Sequence, residues 1–179
     1  RVSRDRGGWA NLCRMRSAGR LRAAKGSCDL GLAGLWDFAD GLDLLLHGPP
    51  DILTYPRGAG DWWQRAKQVT RRLGPACQLL MAPAYDGHDR LRFERLTRLA
   101  GQLGVPTVAS AAPVMHHGTR RKLTDVLTCI RLGIRVEDLG TKAQANAEQR
   151  LRGEAEMRRI FDGFEDAVDR TTEIAARCR

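Results

Sequence analysis

Four histidines, His47, His88, His116 and His117, are the side chains of this 179-residue chain best suited to hold a metal or move a proton near neutral pH. Each follows a short apolar run. His47 closes LDLLLH, His88 lies in YDGHD behind CQLLMA, and His116-His117 come shortly after GVPTVAS. If those runs are parallel strands, all four imidazoles gather beyond the carboxyl ends of one sheet, where α/β proteins assemble ligand sites. Imidazoles and carboxylates together would there make a metal-dependent phosphoesterase. The stretch Ser110 to Met115 supplies no carboxylate, however, and Asp86-Gly87-His88-Asp89 also reads as a surface turn. Ligands and solvated loop residues both remain open readings. A second cluster, Arg120-Arg121-Lys122, precedes an amphipathic helix and reads equally as a set of phosphate contacts or as a solvated basic helix start. There is no Gly-x-Gly-x-x-Gly or Walker loop, and Ser110 lacks a nucleophile-elbow context.

The elements that would position these residues alternate. Trp9 to Met15 carries a short apolar stripe, about two turns of helix, followed by a basic loop from Ser17 to Cys28. Asp29 is placed to cap a helix through Leu32, Leu35, Trp36 and Phe38, which Gly41 ends. Leu42 to Leu46, Cys77 to Ala82 and Val105 to Ala109 are short apolar runs between breakers, as in strands buried on both faces. A loop with Pro56 and Gly58 precedes a helix on Trp62, Ala66, Val69 and Leu73, and Leu96, Leu99, Ala100 and Leu103 mark another. The crossovers are long enough for parallel pairing, so the spacing predicts part of a parallel (β/α) barrel. Three such strands cannot close a barrel, and the open edges predict self-association. After Lys122, Leu123, Val126, Leu127 and Ile130 form one apolar stripe, and Gly133 stands where the helix needs a left-handed residue to stop. Beyond it the strand signal ends, and Gln144–Leu151, Glu154–Phe161 and Phe164–Cys178 read as helices.

Lys and Arg number 30 against 21 Asp and Glu, giving a net charge of +9 that favours polyanions and allows a general nucleic-acid-binding module. The five cysteines lie too far apart for a Cys-x-x-Cys pair and read as buried, reduced thiols of a cytoplasmic protein. No apolar run approaches membrane-spanning length, so no membrane partner is expected. The chain opens at Arg1 within what reads as a structured passage, the expectation being a piece of something longer.

The segments LTDVLTCIRLG, QANAEQRLRGEAEMRRIF and EDAVDRTTEIAARC, with GVPTVAS, GGWANLCRM, GRLRAAKGSCDL and LAGLWDFADGLDLLL upstream, resemble bacterial error-prone DNA polymerases, C-family relatives of the replicative polymerase III alpha subunit. The resemblance implies a fold of α/β class: the later part of an N-terminal polymerase-and-histidinol-phosphatase (PHP) barrel over residues 1–119, then a helical segment over 120–179 leading towards the polymerase core. It implies a DNA-directed polymerase acting in replication past damage and repair, with DNA and the remainder of the polymerase as partners. Mg²⁺ would serve the full-length enzyme, and no cofactor is expected in this segment. Where metal-binding relatives have Thr-Asn-Asp, this chain has Ser110-Ala111-Ala112, and Val114 replaces a position often His. Only His116 keeps a commonly retained ligand, so the resemblance implies a degenerate metal site, no catalytic residue and a scaffold role. The polymerase carboxylates would lie outside this chain.

Overall fold

A computed structural model of the chain describes residues 2–54 and 60–179, so the expected loop with Pro56 and Gly58 lies outside the described residues. The fold is mixed α/β, with seven α-helices among the described residues and one four-stranded, curled half-barrel sheet. In chain order the elements are β1 (Val2–Ser3), α1 (Arg6–Leu21), α2 (Leu32–Asp37), β2 (Leu42–His47), α3 (Gly60–Leu73), β3 (Cys77–Met81), α4 (Asp89–Leu103), β4 (Thr107–Ala109), α5 (Arg121–Leu132), α6 (Glu154–Ile160) and α7 (Glu165–Arg177). Strands lie in the order β1-β2-β3-β4. β2, β3 and β4 are parallel, in registers such as Leu44 with Cys77 and Met81 with Ala109. β1 is an addition to the expected three strands and runs antiparallel, pairing Val2 with Asp43. Two residues carry no alternation, which is why the sequence does not announce it.

Three expectations about helices need correction. α1 runs sixteen residues and takes in Ser17 to Leu21 of the stretch expected to be a basic loop, while Arg22 to Cys28 are non-helical as expected. Charge does not stop a helix, and Asp5 starts this one early by accepting the Gly8 N–H at 2.7 Å. Gly19 is buried in it because a Cβ there would stand 2.5 Å from the Leu30 side chain. Asp29 caps nothing. α2 begins behind Gly31 without a side-chain cap, while the Asp29 N–H donates to the Gly19 carbonyl at 2.9 Å. Residues 144–151 are not helical, and their chain instead lies alongside the loop after β4. Two glycine stops hold, Gly104 and Gly133 ending α4 and α5 with φ of 66° and 64°, whereas α2 ends at Asp37 with Phe38 as its C-cap, ahead of the expected stop at Gly41.

One apolar core joins the sheet to helices from every part of the chain. Met15, Leu35, Leu44, Val69, Leu79 and Phe93 are buried together with Phe161, Ala167 and Val168 from the C-terminal segment. Phe93 of α4 stacks on Phe161 at 4.7 Å and meets Phe164 edge-on at 5.6 Å. α7 packs along β4, and Arg170 Nε donates to the Thr107 carbonyl at 3.2 Å. Asp43 in β2 is 1% exposed, and Arg177 Nη2 reaches it from α7 at 3.2 Å. At the same corner the Arg179 N–H donates to the Arg4 carbonyl at 2.8 Å.

The cysteines are all free, but only Cys77 and Cys129 are buried; Cys13, Cys28 and Cys178 are exposed, against the expectation that all five are buried. Burial pushes the Cys77 thiol up to about 12, so almost no thiolate forms near neutral pH.

Arg177→Ala leaves a carboxylate buried without its cation and should lower unfolding free energy by about 2 kcal/mol, measured by urea titration. Brief native alkylation followed by mass spectrometry should modify Cys13, Cys28 and Cys178 and spare Cys77 and Cys129. Rapid labelling of Cys77 would contradict this packing.

Candidate functional site

The carboxyl ends of β2, β3 and β4 lead into three connections, and the four histidines lie on or beside them. His47 ends β2 exposed, and its carbonyl accepts Trp62 Nε1 at 3.1 Å. His88 stands ahead of α4 with Nδ1 3.1 Å from the Asp86 carbonyl. His116 is exposed on the connection after β4. His117 is exposed too, with Nδ1 3.0 Å from Thr119 Oγ1 at the start of a 3₁₀ turn. The imidazoles of His88 and His117 are thus tied to their own loops, whereas the His47 bond is made by its backbone carbonyl to α3. Among the described residues no group of three or more His, Cys, Asp or Glu side chains could hold a metal ion. The described residues do not fit the metal centre that the resemblance implies for metal-binding relatives.

The carboxylates nearest the sheet end are engaged by arginines and backbone. Asp89 accepts the N–H of Ala84 at 2.8 Å and of Tyr85 at 2.9 Å, shaping the turn after β3. Arg92 bonds both Asp89 and Asp86, the latter at 2.6 Å. The hydrogen bond from Arg92 holds the Asp86 carboxyl down at about 2, against an ordinary 3.8. Tyr85 adopts φ of 56°, a left-handed conformation unusual for an aromatic residue. Ala112 is left-handed as well, at φ 44°, and its N–H donates to Ser110 Oγ at 2.9 Å. Neither position is a glycine, so the surrounding contacts must hold the backbone there.

Those contacts come from residues 148–152. The N–H groups of Val114 and Met115 both donate to the Gln149 carbonyl, at 2.9 and 3.2 Å, and the Leu151 N–H donates to the Met115 carbonyl at 3.2 Å. Arg152, with its side chain 3% exposed, lies under the Tyr85 ring at 5.1 Å and donates to the Glu148 carboxylate at 2.6 Å. It also pairs with Glu156, which Arg150 grips with both guanidinium ends, at 2.5 and 3.2 Å. Hydrogen bonds from Arg150 hold the Glu156 carboxyl below its usual range. Reading this stretch as helix missed Arg152. The available signal was the every-second-residue alternation Glu148, Arg150, Arg152, which suits an extended strap better than a helix.

Arg120, Arg121 and Lys122 mark the N-terminal end of α5, with Arg120 and Lys122 exposed. Three cations at a helix start oppose its dipole. Asp125, one turn in, offsets them by lying 3.8 Å from Arg121 while accepting the Gln144 N–H at 3.3 Å. The apolar stripe of α5 faces solvent, not core: Leu123 is 50%, Leu127 56% and Ile130 71% exposed, and only Cys129 of the helix is buried.

Because Asp86 is depressed in the folded chain, its contribution is complete above about pH 4 and is lost as pH falls through about 2. Arg92→Ala should return the Asp86 midpoint towards 3.8, read by NMR of its carboxyl carbon. An unchanged midpoint would mean that Arg92 is not the cause.

No family model matches the chain. It is 40% identical over 178 residues to the error-prone DNA polymerase of Ruegeria pomeroyi and 37% over 172 residues to that of Rhodopseudomonas palustris strain BisB5. It is 36% identical over 174 residues to the error-prone DNA polymerase of Mesorhizobium japonicum. These alignments cover 96 to 99% of the chain and 15% of each polymerase. The chain is therefore a homologue of the bacterial error-prone DNA polymerases, matched to one stretch that makes up 15% of their length.

Proposed function

We propose that this stretch is a scaffold within an error-prone DNA polymerase, the later part of a PHP-type barrel over residues 1–119 and a helical segment over 120–179. The remainder of the polymerase packs against it and carries the nucleotide-adding chemistry, with Mg²⁺ held by carboxylates outside this stretch. On this reading the whole protein copies DNA past damage in the cytoplasm, and Arg120, Arg121 and Lys122 touch DNA phosphates beside the packing surface. The carboxyl end of the sheet acts structurally: Asp86, Asp89, Glu148 and Glu156 fix loops and arginines, and His116 is a vestige of a ligand set.

The observation that carries the proposal is the solvent-facing stripe on α5. Leu123, Val126, Leu127 and Ile130 recur at helical spacing on one side, a pattern that ordinarily buries itself. Full burial of such side chains is worth about 1.5 to 3 kcal/mol each. The relatives supply an occupant, since 85% of their length lies outside the matched stretch.

Leu127→Glu with Ile130→Glu should change the stability of the isolated chain by less than about 0.5 kcal/mol, because both side chains already face water. The same pair should weaken association with the rest of the polymerase, supplied as a separate chain, by well over tenfold in calorimetry. Undiminished association would remove the scaffold reading of α5. Unfolding of the isolated variant would show the stripe to be core.

A further inference from the structure

The positive charge of this protein is not spread evenly through its ion pairs. From Arg6 to Ser27 the sequence carries Arg6, Arg14, Arg16, Arg20, Arg22 and Lys25 and not one acidic residue. All six are exposed, and among the described residues no carboxylate forms a salt bridge with any of them. The arginines of α4, of the turn after α5 and of the C-terminal third are the ones that pair.

The helix sorts these residues. α1 buries Gly8, Met15 and Gly19. At 3.6 residues per turn, Arg6, Trp9, Arg16 and Arg20 fall within an arc of roughly 80° on its solvent side. Trp9 is 59% exposed, between the directions of Arg16 and Arg20. The rise from Arg6 to Arg20 is about 21 Å, enough to reach several consecutive phosphates of an extended single strand. A large aromatic ring within an unpaired arginine stripe is the combination that binds single strands: guanidinium groups on the backbone, a ring for a base to stack on.

We propose that the solvent face of α1, with Arg6, Arg16 and Arg20 on phosphates and Trp9 stacked on an unpaired base, is a binding surface for single-stranded nucleic acid. It is separate from Arg120–Lys122 and does not depend on the scaffold role of α5. A lipid surface fits less well. An interfacial helix needs its apolar face free, and the apolar face of α1 is inside the core through Met15.

The test titrates a fluorescent oligothymidylate, and a duplex of equal length, into the full 179-residue chain across a salt series. Binding should weaken as salt rises. Arg16→Ala with Arg20→Ala should lower the slope of log affinity against log salt by about 1.4, at about 0.7 for each single-strand phosphate contact, which is roughly 25-fold in affinity near 0.1 M salt. A charge-matched control, Arg98→Ala with Arg159→Ala, should cost much less. Trp9→Ala should keep the slope and weaken single-strand binding roughly tenfold while sparing the duplex. Trp9→Leu, which keeps apolar bulk without a flat ring, should behave alike, and circular dichroism checks folding. Equal losses in the control pair, an unaffected Trp9 variant, salt-insensitive binding, or α1-dependent binding to phosphatidylserine vesicles in place of the oligonucleotide would each overturn the proposal.

Discussion

The structure depends on how a short parallel sheet disposes of its two edges. A strand at an edge shows a row of unpaired backbone groups, and in water or against another chain those groups find partners. Here β1 covers one edge with two antiparallel residues, and α7 lies along β4 at the other. The guanidinium of Arg170 takes the Thr107 carbonyl, and Arg177 reaches the buried Asp43 in β2. The C-terminal helix is therefore part of what completes the sheet. Its aromatic anchor, Phe161 on Phe93, fixes it to the same core.

That arrangement explains what the sequence could and could not reveal. Leu42–Leu46, Cys77–Met81 and the run ending at Ala109 were legible because buried parallel strands are continuously apolar and stop at breakers. α3 and α4 were legible through their period, and Gly104 and Gly133 through the conformation only glycine adopts cheaply. The last turn of α1 is not legible in the sequence because it is defined only by contacts: Gly19 against Leu30 is invisible until both are placed. Residues 144–151 were misread as a helix because their helix-compatible residues serve an extended strap held by Met115 and Gln149. The loop after β4 was correctly located. What sequence spacing could not show was that its shape is held by the Gln149 carbonyl and the Leu151 N–H of a distant segment.

The charged groups fall into two populations with different physics. At the carboxyl end of the sheet, arginines and carboxylates are matched and partly buried, so they set loop geometry and hold Asp86 and Glu156 ionised. On α1 the cations are exposed and unmatched, and their field extends into solvent over about a Debye length. The net charge of +9 describes neither population.

The hydrogen bond from Arg179 to Arg4 brings both ends of the chain to one corner, beside the Asp43–Arg177 pair. The path of the backbone is thus nearly a closed loop. A few residues joining the ends, with a new opening cut in an exposed turn such as Asp86–Gly87, would make a circular permutant with every packed layer intact.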